Sequence, residues 1–233
     1  MSVFGISDLH LSFGTNKPMN IFGKVWCNYE DKIKLNWKNE VKPDDFVIIA
    51  GDISWATYLS EAKGDFDYIN SLPGNKIILK GNHDYYFDTK SKLESFFKET
   101  NISNIHILQN NAIDTEEYII CGARGWGDTE NNQKEDDKLI KREAIRLRLS
   151  LDEGNKLRQK YLEKGIEKNI LVAMHFPPFN LEFQKILEEY KVKKCVYGHL
   201  HGYGHSKIKE GIINGVEYIM VSCDYTNFNV VKL

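Results

Sequence analysis

The sequence has no hydrophobic run long enough to cross a membrane. A transmembrane helix needs about 20 consecutive apolar residues, and none of the apolar stretches approaches that length. The first five residues, Met1-Ser2-Val3-Phe4-Gly5, also lack the basic start of a secretory signal peptide. We therefore expect a cytoplasmic protein that has no membrane partner.

The sequence also lacks closely spaced cysteine pairs and a large net charge. The four cysteines show no Cys-x-x-Cys spacing, which argues against a zinc site built from thiolates, and we expect free thiols. The formal net charge is only −2, so no overall field would gather nucleic acid nonspecifically. The phosphate-binding loop of kinase-type proteins and the Gly-x-Gly-x-x-Gly motif of dinucleotide-binding proteins are both absent, which excludes those two functions.

The chain also lacks a Pro/Gly/Ser-rich linker, an internal repeat and a low-complexity tract, so we expect a single domain over residues 1–233. Apolar strand-like runs alternate with amphipathic segments, which predicts an α/β fold. Near residues 105–121 and 212–233 such runs follow one another directly, so a purely parallel sheet is not expected. A charge-rich segment from Lys134 predicts a helix, with a second helix continuing past Gly154 to Lys164.

Five short apolar runs each end in side chains that can bind a metal ion. One of these runs stops at Gly81, and we expect this glycine to bend the chain so that Asn82 and His83 serve one pocket. The side chains collected from the five strand ends are Asp8, His10, Asp52, Asn82, His83, His175, His199 and His201.

These side chains form a mixed set of oxygen and nitrogen ligands. Carboxylate, imidazole and amide groups suit first-row divalent ions such as Mn, Fe or Zn, with Ni or Mg as alternatives. Any one of the histidines alone would more often be structural, but the ordered set favours a metal site, and eight groups are too many for one ion. If Asp52 bridges two ions about 3.5–4 Å apart, a hydroxide shared between them can act as a nucleophile. Such a centre suits phosphoester hydrolysis.

At these residues the sequence resembles the calcineurin-like metallophosphoesterase superfamily. The superfamily pattern is Asp-x-His, Gly-Asp, Gly-Asn-His-Asp/Glu, a lone His and Gly-His-x-His, and every block is present in order between Asp8 and His201. The resemblance implies a β-sandwich of two mixed sheets flanked by helices. It also implies two divalent ions, one held by Asp8, His10, Asp52 and His201 and the other by Asp52, Asn82, His175 and His199.

The resemblance assigns a role to His83, and the sequence itself suggests roles for Arg124 and Trp55. His83 would not bind metal; oriented by Asp84, it would protonate the leaving oxygen or stabilise charge on the phosphoryl group. Arg124, isolated in a glycine-rich loop, would either clamp a phosphate oxygen or pair with a nearby acid such as Asp128. Trp55 would either pack structurally or offer a surface to an aromatic leaving group.

The implied activity is hydrolysis of a small phosphorylated substrate, and phosphomonoester, phosphodiester and pyrophosphate bonds all remain open. The run after Asp52 lacks the Asp-Arg-Gly continuation of protein Ser/Thr phosphatases, and the sequence is more similar to a prokaryotic branch of predicted phosphohydrolases. The alternative is a non-catalytic protein-binding scaffold of the same fold, which the intact ligand set disfavours. We expect residues 11–28 and 127–165 to shape the substrate opening.

Overall fold

This computed structural model of the protein describes residues 1–127 and 133–233. The strands follow the apolar runs of the sequence. In chain order they are β1 Val3–Ile6, β2 Phe46–Ile49, β3 Asn75–Ile78, β4 Ile105–Ile107, β5 Ile113–Asp114, β6 Tyr118–Ala123, β7 Asn169–Met174, β8 Lys194–Tyr197, β9 Gly211–Ile213, β10 Val216–Met220 and β11 Val231–Lys232.

The described strands form two sheets. The first has the order β11-β1-β2-β3-β4, in which β1 to β4 run parallel and β11 is antiparallel to β1. The second has the order β5-β6-β7-β8-β10-β9, with a parallel centre and an antiparallel strand at each edge. Both sheets are mixed, which confirms the expectation from the sequence.

The α-helices connect the parallel strands. They are α1 Tyr29–Glu40, α2 Lys63–Asn70, α3 Lys90–Glu99, α4 Gln133–Leu162 and α5 Leu181–Glu189. Helix α3 is capped by Thr89, whose side chain accepts a hydrogen bond from the Lys92 backbone N–H. Short 3-10 helices at Met19–Phe22 and Lys24–Trp26 occupy the long loop after β1.

Strand β2 shows how the layers are stacked. Val47 and Ile49 face the core that the first sheet shares with α1, α2 and α3, whereas Ile48 and Ala50 face the core between the two sheets. Successive side chains of a strand point to opposite faces, so a strand buried on both faces must be apolar throughout. The second sheet packs α4 and α5 on its outer face. The result is the predicted sandwich of two mixed sheets flanked by helices.

Helix α4 corrects one expectation. The helix continues through Gly154 without a break, so the predicted boundary between two helices at this residue is wrong. A Cβ atom on residue 154 would lie 2.4 Å from the Sγ atom of Cys121 in β6. The glycine therefore allows α4 to approach the sheet closely, which is a packing role and not a helix stop.

The turn between β9 and β10 is a tight hairpin. Asn214 and Gly215 have φ angles of 51° and 83°, as the tight hairpin turn requires. Three of the cysteines, Cys121, Cys195 and Cys223, are buried free thiols, and Cys27 is an exposed free thiol. Among the helices of the described residues, none has both the length and the apolar character that a membrane span requires.

Candidate metal centre

The strand ends predicted to carry the site do meet at one edge of the sandwich. The two sheets touch there, because the Ser7 N–H donates to the Val221 carbonyl at 2.8 Å and the Cys223 N–H donates to the Ser7 carbonyl at 3.0 Å. The carboxyl ends of parallel strands lie at the same sheet edge, so the loops after β1, β2, β3, β7 and β8 converge. Within the described residues this edge carries two groups of possible metal ligands.

The first group consists of Asp8, His10 and His201, whose ligand atoms lie within 4.8 Å of one another. The Nε2 atom of His201 is 3.2 Å from Asp8 Oδ1 and 3.3 Å from His10 Nε2. Asp8 is fully buried and His10 is almost so. A carboxylate and two imidazoles therefore face a common point.

The second group consists of Asp52, His175 and His199, again with ligand atoms within 4.8 Å. The His175 Nε2 atom is 3.4 Å from Asp52 Oδ2 and 2.7 Å from the amide oxygen of Asn82. Asn82 therefore lies next to the second group. The His175 Nδ1 atom lies 3.0 Å from the Ala50 carbonyl oxygen, which fixes the ring orientation.

Asp52 lies between the two groups. Its Oδ2 atom is 3.4 Å from Nε2 of His175 in the second group and 3.9 Å from Nε2 of His10 in the first. The other carboxylate oxygen accepts a hydrogen bond from the His83 backbone N–H at 2.8 Å. One oxygen is therefore held by the protein, and the other faces both sets of imidazoles.

The buried carboxylates of the two groups favour positive charge beside them. Burial alone would raise the pKa of Asp52, but the neighbouring His175 outweighs it and lowers that pKa to about 2. Burial opposes protonation of His175 and His201, yet Asp52 and Asp8 raise their pKa values to about 9 and about 10. Without an ion, the protons on His175 and His201 compensate the two buried carboxylates, and a divalent ion held by the same atoms would replace those protons. The donor set therefore fits divalent ions.

Two other histidines are held neutral. Burial lowers the pKa of His10 and of His199 to about 4, so neither ring carries a charge near neutral pH. Neutral imidazole is the form that donates a lone pair to a metal ion. The Nδ1 atom of His10 is buried and has no hydrogen-bond partner among the described residues.

The backbone at these residues is unusual. Asp8, His10, Asp52 and His199 have φ angles of 61°, 45°, 50° and 73°, the left-handed region that non-glycine residues rarely adopt. Such strain persists where the surrounding structure fixes it, and it concentrates at functional sites. The backbone therefore adopts its unusual conformation at the candidate ligand residues themselves.

Gly81 therefore has a different role from the one expected. Its backbone does not supply the bend; instead, a Cβ atom there would lie 2.1 Å from Asp52 Oδ1. Gly198 is similar, since a Cβ atom would lie 2.4 Å from Asp8 Oδ2. Both glycines make room for a carboxylate.

Three residues that support the ligands were missed in the sequence. The Asp224 carboxylate lies 2.9 Å from His201 Nδ1, and the hydroxyl groups of Ser7 and Ser222 donate to Asp8 Oδ2 at 2.5 and 2.7 Å. Such partners orient ligands and tune their basicity. Ser222 and Asp224 follow the apolar strand β10, so the strand-end pattern would have found them had it been extended to the last strands.

His83 lies beside the centre without joining either group. Its Nε2 atom is 4.0 Å from Asp52 Oδ2, and about a third of its side chain is exposed. Burial lowers its pKa, and its ring packs against Trp55 with the centroids 4.6 Å apart. An accessible imidazole next to the ligand edge can donate a proton to a group that approaches from solvent.

The role expected of Asp84 needs correction. Its buried carboxylate accepts hydrogen bonds from four backbone N–H groups and one hydroxyl, and the His83 ring is not among the partners described for it. The donors are Asp52 N, Ile53 N, Ser54 N, Gly81 N and Tyr86 Oη. Asp84 therefore ties the loop after β2 to the loop after β3, because a carboxylate can accept several backbone donors at once.

Arg124 lies on the second sheet side of the centre. Its Nη2 atom is 3.7 Å from Glu143 Oε1 in α4, and its guanidinium lies over the Trp126 ring at 4.9 Å. The pairing with an acid is thus present, but the acid is Glu143; Asp128, the candidate named from the sequence, lies outside the described residues. The Arg124 carbonyl accepts the His175 N–H at 3.1 Å, which places this loop next to a candidate ligand.

An apolar cavity of about 370 Å³ opens directly onto the first group. Its lining includes His10, His83 and His201. We call it the aromatic cavity, because the lining also includes Phe22, Trp26, Trp55 and Tyr203, together with Met19 and Val25. The Trp55 ring is stacked on His10 at 4.7 Å, so Trp55 both packs against a ligand and lines the opening. The expected contribution of residues 11–28 to the opening agrees with this lining.

Comparison with solved structures supports the fold. The phosphopantetheinyl hydrolase (PptH) from Mycobacterium tuberculosis superposes with a TM-score of 0.52 at 16% identity, covering 100% of this chain and 95% of that one. The protein TT1561 of Thermus thermophilus gives 0.54 at 10% identity, covering 99% and 97%. At such identities the likeness is one of fold.

The sequence comparisons differ in outcome. A search of curated proteins gives no significant match. The profile of the calcineurin-like phosphoesterase family, in contrast, matches residues 1–203, which include all the strand-end blocks. The chain therefore belongs to the calcineurin-like phosphoesterase family.

Proposed function

We propose that this protein is a dinuclear metal-dependent phosphoesterase that hydrolyses a phosphomonoester, phosphodiester or pyrophosphate bond of a small substrate. The observation that carries the proposal is the position of Asp52, whose Oδ2 atom faces His175 of one ligand group and His10 of the other. Family membership supports the reaction class, since the family profile covers the residues that form both groups.

The ligand sets follow from the two groups. Asp8, His10, Asp52 and His201 would hold one ion, and Asp52, Asn82, His175 and His199 the other. Two such ions would activate water as the nucleophile and stabilise negative charge on the phosphoryl oxygens. Mn, Fe or Zn fit the carboxylate and imidazole donors best, and Ni or Mg remain possible occupants.

His83 is the residue we propose as general acid. Its imidazole is partly exposed, lines the aromatic cavity and is 4.0 Å from the shared carboxylate. The imidazolium form of His83 can pass its Nε2 proton to the leaving oxygen, which avoids release of an unstable alkoxide and leaves neutral imidazole, the form that the lowered pKa favours. Asp84 supports the reaction indirectly, because its backbone contacts hold Asp52 in position.

The leaving group would occupy the aromatic cavity. This cavity is continuous with His83, and Trp26 and Trp55 offer it ring surfaces. Aromatic rings bind flat apolar groups by stacking and by burial of apolar area. The Mycobacterium tuberculosis neighbour does not identify that group, because 16% identity supports a common fold alone.

The test is hydrolysis of p-nitrophenyl phosphate and bis-p-nitrophenyl phosphate by metal-stripped protein, with Mn, Fe(II), Zn, Ni or Mg added back singly. Wild type is expected to bind two ions per chain and to hydrolyse one ester in preference, while His83→Ala keeps the ions and loses turnover. His106→Ala is the matched control, because His106 lies on an exposed face of edge strand β4.

The alternative is a protein-binding scaffold without catalysis. It predicts fewer than one bound ion per chain and no difference between wild type and His83→Ala. That pair of results would overturn the proposed function.

A further inference from the structure

A second cavity lies at the same edge of the sandwich, on the side of the second ligand group. It encloses about 230 Å³ between the ends of β3, β4 and β6 and one face of α4. We call it the basic cavity, because its lining includes Lys80, Arg124, Arg142 and Arg146. Its two acidic residues are Glu143 and Asp88.

The basic cavity shares its walls with the metal-ligand segments. Lys80 directly precedes Gly81 and Asn82 in the chain. The Arg124 carbonyl accepts hydrogen bonds from the backbone N–H groups of His175 and Phe176 at 3.1 and 2.9 Å. A group bound in this cavity would therefore lie alongside the segments that position Asn82 and His175.

The arginines converge on one carboxylate oxygen. Arg146 Nη1, Arg142 Nη2 and Arg124 Nη2 lie 2.7, 3.2 and 3.7 Å from Oε1 of Glu143, a fully buried residue. The other oxygen of Glu143 and the Nε atom of Arg124 are buried and have no hydrogen-bond partner among the described residues. One acid cannot use the donors of three guanidinium groups, each of which presents five N–H bonds.

The cavity consequently holds more positive than negative charge. Its described lining has four cations against two acids, a formal excess of two positive charges. A structural ion pair that served only to neutralise Glu143 would need one arginine, so the excess points to a further anion.

We propose that the basic cavity binds a second phosphate group of the substrate. The formal excess of two positive charges matches a phosphate dianion, and arginine forks suit its planar pairs of oxygens. The assignment rests on the proposed function and narrows it: the substrate carries two phosphate groups, one at the metal-ligand groups and one between α4 and the end of β6. Arg124, the residue singled out in the sequence, then contacts the phosphate that is not cleaved.

The first experiment measures anion binding and needs no catalysis. Metal-stripped protein is titrated with inorganic phosphate by calorimetry. We expect Arg142→Gln to raise the Kd about tenfold, or about 1.4 kcal/mol, because one charge-assisted contact is lost. Arg142 is half exposed, so the substitution is tolerated by the fold.

Two control variants locate the phosphate. Arg148→Gln removes an arginine from the same helix that pairs instead with Glu189 at 2.8 Å, and it should keep the wild-type Kd. His199→Ala alters the second ligand group and should also keep it. If His199→Ala weakened phosphate binding and Arg142→Gln did not, the assignment of the anion to the basic cavity would be wrong.

The second experiment tests the substrate assignment with metal-loaded protein. Adenosine 3′,5′-bisphosphate and adenosine 5′-monophosphate differ by one phosphate, so the ratio of their kcat/KM values isolates its contribution. We expect wild type to favour the bisphosphate at least tenfold and Arg142→Gln to bring the ratio close to one. An unchanged ratio in the variant would overturn the substrate assignment.

The two experiments distinguish failure of the proposed function from failure of the second-phosphate assignment. Arg142-dependent phosphate binding without hydrolysis of any ester would refute the proposed function and leave the anion site. Ester hydrolysis, together with phosphate binding that Arg142→Gln does not change, would refute the anion site and leave the proposed function.

Discussion

The aromatic cavity and the basic cavity both adjoin the candidate metal ligands, but the residues that line them differ in chemistry: one lining is mainly aromatic and the other is mainly cationic. The aromatic cavity takes its two tryptophans from the 3-10 helices after β1 and the loop after β2, on the side of the first sheet. The basic cavity takes its three arginines from α4 and the end of β6, on the side of the second sheet, and its other residues include segments after β3 and β4. The aromatic rings and the arginines thus come from different halves of the sandwich.

The two cavities also differ in how they reach the candidate ligands. Trp55 of the aromatic cavity touches His10 and His83 through its ring. The basic cavity touches His175 through the carbonyl of Arg124, a backbone contact that a side-chain substitution leaves in place. Changes in the aromatic cavity should therefore alter catalysis and binding together, whereas changes in the basic cavity should alter binding of the second phosphate alone.

The largest effect is expected from Asp52→Asn, which removes the charge shared by the two ligand groups and so affects both sides alike. Loss of ions worth about 6 kcal/mol of transition-state stabilisation would lower kcat/KM about 10⁴-fold. Metal content and hydrolysis of p-nitrophenyl phosphate measure the effect. Asp67→Asn, at an exposed carboxylate paired with Lys63, is the control. Full activity in Asp52→Asn would show that the two groups act independently.

A smaller effect is expected from Asp84→Asn. The carboxylate receives backbone N–H groups from the loops after β2 and β3, and an amide nitrogen would oppose some of those donors. We expect metal affinity to fall about 10- to 100-fold, as for other groups that support ligands. Competition with a chelator measures the affinity. If kcat fell while metal affinity stayed at the wild-type value, Asp84 would act on His83 and not on the loops.

Trp55→Ala tests whether the aromatic cavity acts independently of the basic cavity. Removal of the ring takes away a stacking surface beside His83, which is worth about 1–3 kcal/mol for a stacked aromatic group. We expect kcat/KM for p-nitrophenyl phosphate to fall about tenfold, and the Kd of inorganic phosphate for the metal-stripped protein to stay unchanged. Steady-state kinetics and calorimetry give the two numbers. A parallel change in both would mean that the cavities are not independent.

The smallest effect concerns the close packing of α4 on β6, which carries the basic cavity. Gly154→Ala places a Cβ atom 2.4 Å from Cys121 Sγ, and such overpacking costs about 1–3 kcal/mol of the free energy of unfolding. Urea unfolding measures the loss. Adding Cys121→Ala should restore part of the stability by removing the clash. Additive losses in the double variant would show that α4 does not pack as described.

Much of the fold was accessible from the sequence because its signals are local. Apolar strand-like runs, such as the one that forms Phe46–Ile49, predicted strands, and their alternation with amphipathic segments predicted the α/β fold. The prediction failed at Gly154, where a glycine usually weakens a helix but here allows close approach to Cys121. Propensity describes a residue by itself, and the contact with β6 arises only when the chain is folded.

The candidate site shows the same division. The sequence by itself determined the chemistry, since the strand-end pattern placed Asp8, Asp52 and His175 beside polar loops whatever the exact geometry. Only the tertiary structure decided that Asp52 lies between two groups and that Asp84 ties two loops together. It also decided that Arg124 belongs with Glu143 in a basic cavity. These relations join residues far apart in the chain, and distances across two packed sheets are not encoded in the spacing along any one strand.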